Sequence, residues 1–304
     1  MKDLLISHIK DIDGVSPVIL LKLCSLDFTY QLLDTHEVDT YIKNLLGQDL
    51  SIYQNIYVTD LSISKEVLDF IVASPYKEKF KVFDHHISNV ISKEYDFVTF
   101  DTKECGTTLF YFFLREKYPI LNSENIKTYI THVRNLDIWL WEKDGDLLAK
   151  ELGDLFELYG IENYIEKIYE RLIEEKPFSL TPFEVELLEL EQDKIKRYID
   201  KKEERMLVFS YLNYHFGMVY GESYRSEMGN ILSNRHPELD FIVIVNPSGG
   251  VSLRTSREDV DLSKIADSLG GGGHKKAAGI AFKDELKIQI ISEIFKGAMI
   301  DESK

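Results

Sequence analysis

Over the first hundred residues, short apolar runs alternate with helical patterns, and three of the runs lead straight into acidic or histidine-rich ends. Leu4-Leu5-Ile6, Phe28 to Leu33, Ile56-Tyr57-Val58, Lys81-Val82-Phe83 and Phe97 to Phe100 read as strands. Helical spacing fills the gaps. One helix is expected from Ser16-Pro17, with Ser as N-cap and Pro at the first helical position. Others are expected from Val38 to Leu46, closed by Gly47, and from Ser64 to Val72. This βαβα order specifies an α/β domain built on a mostly parallel, doubly wound sheet with helices on both faces.

From about 106 to 205 the pattern is almost entirely helical. Its last stretch, TPFEVELLELEQDKIKRYIDKKEER, mixes charge signs along its length, as a solvated helix between two domains does. After 206 a smaller mixed α/β unit is expected. Its strands lie at 207–209, 216–219, 241–245, 251–254 and 280–282, with a helix at 226–232 and a last helix at the end. The expected division is therefore 1–180, a linker helix at 181–205, and 206–304.

The net charge is −16, from 36 basic and 52 acidic residues, and residues 1–205 hold 25 of the former and 39 of the latter. Such a surface repels a long polyanion and leaves room for a small one in a local pocket. No apolar run reaches the roughly 18–20 residues of a membrane span. The N-terminal MKDLLISHIKDIDG reads as neither a signal nor a transit peptide. Two cysteines, Cys24 and Cys105, make no disulfide framework, so a reduced, cytoplasmic protein is expected.

In an open parallel sheet, functional groups gather at the carboxyl ends of the strands. Here those ends carry His8, Asp11 and Asp13, then Asp60, then Asp84, His85 and His86; Asp137 follows in the helical part. Singly, each has a plainer reading as a turn or helix cap. Together, carboxylates and imidazoles suit Mn²⁺, Fe²⁺, Co²⁺ or Zn²⁺. Six or seven such groups are too many for one ion and suit two ions sharing a carboxylate, an arrangement fit for phosphoryl displacement. A second signal is LGGGGHKKAAG, residues 269–279. Glycine amides there can approach an anion closely, with a helix N-terminus behind them and charge from His274 and Lys275. Trp139 and Trp141 are expected to pack beneath the site, with base stacking as the alternative.

SHIKDIDG, VTDLS, DHH, RNLDIW and GGGGHKKAAG together resemble the motifs of the DHH phosphoesterases, in particular the branch with a C-terminal DHH-associated domain carrying a GGGH loop. The resemblance spans essentially the whole chain and implies an active-site cleft between two domains with a two-manganese centre. By it, His8, Asp11 and Asp60 would hold one ion, and Asp13, Asp60, His85 and Asp137 the other. His86 would contact the scissile phosphate and Asp84 would support the histidines. Arg254, Gly271, Gly272, Gly273, His274 and Lys275 would bind the substrate's end, with Arg257, Asn230 and Ser223 as further candidates. His8 and Asp11 are three positions apart where the family commonly has four. Without membrane spans or room for a long nucleic-acid channel, the chain is similar to the compact oligoribonucleases. The implied reaction is attack of a metal-bridged hydroxide on very short oligoribonucleotides or small nucleotides. A phosphatase of 3′-phosphoadenosine 5′-phosphate, a cyclic (di)nucleotide phosphodiesterase and a non-catalytic nucleotide sensor stand as alternatives. A homodimer is compatible with all of them; a membrane or a long nucleic acid is not an expected partner.

Overall fold

The computed structural model describes residues 1–281 apart from Glu175, Ser248 and the side chain of Ser88. The chain divides into two units, 1–188 and 189–304. In the first, β1 (Lys2–His8), β2 (Phe28–Leu33), β3 (Tyr53–Thr59), β4 (Phe80–Asp84) and β5 (Val98–Phe100) form one sheet in the order β2-β1-β3-β4-β5. Every pairing is parallel, with Ser7 opposite Thr59 and Thr59 opposite Phe83. All five carboxyl ends therefore lie on one edge.

Strict alternation explains the two-sided burial. Leu4, Ile6, Ile56, Val58, Phe80 and Val82 face α2 (Val38–Leu46) and α3 (Lys65–Ala73), while Leu5, Tyr57 and Phe83 face the opposite core. That core holds α1 (Ile12–Leu23), α4 (Gly106–Arg115), α5 (Glu124–Asp137), α7 (Leu147–Tyr159) and α8 (Ile161–Ile173). The short α6 (Trp141–Asp144) links α5 to α7. The doubly wound α/β architecture is as expected.

The start of α1 is not. The helix begins at Ile12, capped by Asp11, whose Oδ1 accepts the Gly14 N–H at 2.8 Å. Pro17 therefore lies inside the helix, where it cannot donate to the carbonyl of residue 13. The Thr107 hydroxyl takes that place, donating to the Asp13 carbonyl at 2.5 Å. A tertiary hydrogen bond thus makes an interior proline tolerable.

Helix α9 (Pro182–Glu203) opens with a reciprocal cap between Thr181 and Glu184. Its Leu188 joins the core of the first unit, and Ile195 and Ile199 that of the second. In the second unit β6 (Leu207–Tyr211), β7 (Tyr214–Tyr220), β8 (Phe241–Asn246), β9 (Gly250–Arg254), β10 (Gly272–Gly273) and β11 (Ala277–Ala281) form a mixed sheet in the order β10-β11-β9-β8-β7-β6. In this sheet, among the described strands, only β7 and β8 pair in parallel. Helices α10 (Arg225–Arg235) and α11 (Leu262–Ser268) supply Met228, Leu232, Leu262 and Ala266 to its cores. Phe282 and the expected last helix lie outside the described residues. Among the described residues no helix is long and apolar enough to cross a membrane.

Candidate metal centre and the glycine loop

The edge formed by β1, β3 and β4 brings the expected acids and histidines together. Asp11 spends one oxygen capping α1, which turns its other oxygen to 3.1 Å from His8 Nδ1. The three-residue spacing thus still places both side chains on one point. His8 Nδ1 also lies 3.4 Å from Asp60 Oδ2. On the other side of Asp60, His85 Nε2 lies 3.2 Å from Asp60 Oδ1, 3.5 Å from Asp137 Oδ2 and 3.9 Å from Asp13 Oδ2. Asp60 is buried and adopts a left-handed backbone, φ 55°, immediately after β3. Its amide donates to the Phe83 carbonyl at 3.0 Å, which locks that geometry to β4.

Asp84 supports both histidines. It is fully buried, and its Oδ1 accepts the backbone N–H of His85 and of His86, at 2.8 and 3.2 Å, and His86 Nδ1 at 2.8 Å. Asn89 and Ser62 donate to the other oxygen at 2.8 and 3.2 Å. With Nδ1–H committed to Asp84, His86 presents Nε2 to the cluster, 3.9 Å from Asp60 Oδ1.

The electrostatics are those of a crowded anionic site. The hydrogen bond to Asp11, then the neighbouring Asp60 carboxylate, raises His8 to about 10. Burial pulls His85 down, but Asp60, Asp137 and Asp13 outweigh it and raise it to about 9. Burial, then the charges of Asp60, Asp137 and Asp11, push Asp13 well above the carboxylate range. Burial, opposed by His85, raises Asp137 to about 6. Burial also works against ionised Asp60, yet His8 and His85 hold it below its ordinary value. Such opposed shifts mark functional sites.

The residues fit divalent cations. His8, Asp11 and Asp60 form one cluster, Asp13, His85 and Asp137 a second, and Asp60, His85 and His86 a third, with ligand atoms in each within 4.8 Å of one another. Asp60 Oδ2 and Asp137 Oδ2 are buried with no hydrogen bond made to them. Orphaned anionic oxygens are costly in a protein interior, and a cation between them removes the cost.

Sequence reasoning missed the support behind Asp13. The first residues of α4 grip that carboxylate: Gly106 N–H donates to Oδ2 and Thr107 N–H to Oδ1, each at 2.8 Å. Gly106 is needed for close approach, since a Cβ there would sit 2.7 Å from Asp60 Cβ. Cys105-Gly106-Thr107-Thr108 carries only a generic helix-start signal, so spacing alone does not reveal this role. Cys105 is buried beside the same acid, and burial pushes its thiol well up, away from reactivity. Replacing Thr107 by Val is expected to orphan the Asp13 carbonyl and weaken divalent-cation binding about 10–100-fold by calorimetry, with Thr107→Ser close to wild type. Unchanged affinity in the valine variant would show that the backbone donors alone position Asp13.

The glycine loop differs from expectation. Among the described residues no helix N-terminus stands behind it: α11 ends before the glycines, and β10 and β11 follow as a hairpin. Gly271 N–H closes the helix on the Ala266 carbonyl at 2.8 Å, and His274 and Ala277 bond each other across the turn. Gly273 has φ 144°, and a Cβ there would lie 2.5 Å from Ala278 Cα. Strand pairing therefore shapes the loop. Gly272, Gly273, His274 and Lys275 are exposed, with Lys275 Nζ 3.7 Å from Glu258. Arg254 ends β9, held by Ser226 Oγ at 3.2 Å and the Leu253 carbonyl at 2.9 Å. Burial, then Arg225, lowers its pKa. Arg257 is committed to Asp259 and Asp240, Asn230 accepts from Asn234, and the Ser223 N–H donates to Tyr198. The two tryptophans do not both pack beneath the site, since Trp139 is 65% exposed.

The DHHA1 domain matches residues 224–301. The oligoribonuclease NrnB of Bacillus subtilis is 32% identical over 307 residues, spanning 96% of this chain and 76% of that protein. The chain belongs to the DHH phosphoesterase family. A second DHH relative, a 3′,5′-cyclic-nucleotide phosphodiesterase of Helicobacter pylori, is 24% identical over 78% of this chain and 80% of its own length. A solved structure of an uncharacterised protein from H. pylori G27 covers 98% of this DHH chain and 100% of its own, at 22% identity and a TM-score of 0.48.

Proposed function

We propose that this phosphoesterase is a manganese-dependent phosphodiesterase that hydrolyses very short oligoribonucleotides. The observation that carries the reading is Asp60: one buried carboxylate shared between His8–Asp11 on one side and His85–Asp137 on the other, with an oxygen left for a cation. Two divalent ions in these clusters supply Lewis acidity at the phosphoryl group and lower the pKa of water. The donors His8, Asp11, Asp13, Asp60, His85 and Asp137 hold them.

The chain's own groups do the rest. Asp84 accepts His86 Nδ1–H and, ahead of the opposing effect of burial, raises the His86 pKa. A protonated His86 carries an Nε2–H aimed at the cluster, where it donates to a phosphoryl oxygen as charge builds there. Arg254, the 271–273 backbone, His274 and Lys275 bind the terminal phosphate of the substrate; Arg suits that role through its bidentate fork. The acidic surface disfavours long strands. A cyclic mononucleotide is the second reading, supported by the name of the H. pylori relative. A nucleotide sensor has no use for six metal-type ligands gathered in one cluster.

A panel of pApA, a five-nucleotide RNA, 3′-phosphoadenosine 5′-phosphate, cyclic AMP, cyclic di-AMP and pyrophosphate, each with Mn²⁺, tests the reading. Fastest turnover is expected on pApA or the pentamer, and binding without turnover would favour the sensor. His274→Ala is expected to raise KM more than it lowers kcat. A fall in kcat alone would place His274 in the chemical step.

A further inference from the structure

Helix α5, which delivers Asp137, ends in a way that glycine usually serves. Leu140 N–H returns to the Asn135 carbonyl at 2.8 Å and Trp139 N–H to the Leu136 carbonyl at 3.2 Å. This is a Schellman closure, and its left-handed position, favoured for glycine, is occupied by Trp139 at φ 61°. A bulky residue in that conformation is strained, and the strain is not recovered by burial, because the ring is 65% exposed. Nothing in α5 requires tryptophan there; a glycine would close the helix more comfortably.

The ring is nevertheless held. Its Nε1–H donates to Glu142 at 3.2 Å, and Trp141 meets it edge-on at a centroid distance of 5.8 Å. An indole kept exposed, oriented and strained two residues from a cluster acid is placed for contact with a ligand. The other segment at this point does the same on a smaller scale. Ile87, directly after His86, is 80% exposed, and His85 Nε2 lies 3.5 Å from Asp137 Oδ2, so the two segments meet at the cluster. Exposed apolar side chains one and two residues from cluster ligands, Ile87 after His86 and Trp139 after Asp137, fit a ligand that joins a flat ring to a phosphate.

We infer that Trp139 is a stacking platform for a nucleobase of the substrate whose phosphodiester lies at the Asp60 cluster. The inference rests on the nucleotide reading above and adds a base-binding subsite to it. A π-face accepts any base, so the platform confers preference for base-bearing substrates without sequence preference.

The chain has two tryptophans, so Trp141→Phe leaves Trp139 as the single fluorescent reporter. Its emission is expected to fall on adding a dinucleotide of the pApA type with a methylphosphonate linkage, and to stay level with the same molecule lacking its bases. Trp139→Ala is expected to raise KM for pApA about 5- to 150-fold, the range of one base–aromatic stack. Trp139→Phe should recover most of the loss, with the Mn²⁺ isotherm of both variants matching wild type as the check on folding. Equal quenching by the base-free molecule, an unchanged KM in Trp139→Ala, or quenching by protein concentration alone would overturn the platform. If wild-type protein hydrolyses no nucleotide in the panel, the nucleotide reading itself falls. If it hydrolyses pApA while Trp139 stays silent, only the platform falls.

Discussion

Asp60→Ala is expected to abolish Mn²⁺-dependent hydrolysis, lowering kcat/KM by at least about 10³-fold, because preorganised charge at the phosphoryl group is the largest contribution such a site makes. Among the described residues Asp60 alone is paired with both histidines that flank the centre, His8 at 3.4 Å and His85 at 3.2 Å. Its loss separates the donors into two incomplete sets. Calorimetry should therefore show fewer Mn²⁺ ions bound per chain, and the added thermal protection from Mn²⁺ should shrink. A ligand at 100 times its Kd stabilises the folded state by about 2.7 kcal/mol. Asp60→Asn keeps the shape and removes the charge, so it separates a metal defect from misfolding. Undiminished turnover in either variant would remove Asp60 from the mechanism and with it the shared-carboxylate reading.

What was legible in the chain follows from burial on two faces. Leu4-Leu5-Ile6 and Ile56-Tyr57-Val58 are apolar at every position because odd and even residues serve different cores, so the strands stand out as runs. A parallel sheet then sends His8, Asp60 and Asp84 to one edge, so the grouping of these acids and histidines was legible with the strands. The misses have one cause in common: a local pattern does not disclose its tertiary partner. Ser16-Pro17 resembles a helix start, but Asp11 caps Gly14 and Thr107 repairs the gap at Pro17. Four glycines signal close backbone approach without saying to what; here it is β11. Trp139 follows Asp137 by two, which in a continuing helix would turn it from the acid's face. The Schellman closure at Leu136 and Asn135 leaves it exposed instead.

The second large effect concerns Asp84. Asp84→Ala removes the common acceptor of His85 N–H, His86 N–H, His86 Nδ1–H, Asn89 and Ser62. Asn89 is the buried donor among them; at about 1–3 kcal/mol for a buried donor left unpaired, and with smaller losses at the part-buried Ser62, His85 and His86 donors, the metal-free protein should lose at least about 1–3 kcal/mol in urea denaturation. Asp84→Asn gives a pH signature that a packing defect does not. Burial disfavours ionised Asp84, but His86, Asn89 and the backbone hold its pKa below the ordinary value. Its contribution is therefore present above the unfolded value of about 3.9 and lost as pH falls through the folded pKa. The raised pKa of His86 acts in the other direction: its contribution is complete below about 6.5 and lost as pH rises through the folded value. In chelator-treated protein, the stability difference between wild type and Asp84→Asn should peak between about pH 4 and 6.5 and narrow on both sides. The His86 ring resonance in the variant should titrate lower than in wild type, because burial then acts without its carboxylate partner. A difference flat across that range, with His86 titrating unchanged, would show that Asp84 holds the loop in place without charging the histidine. His86 would then enter catalysis as a neutral imidazole with no Nε2–H to offer the phosphate.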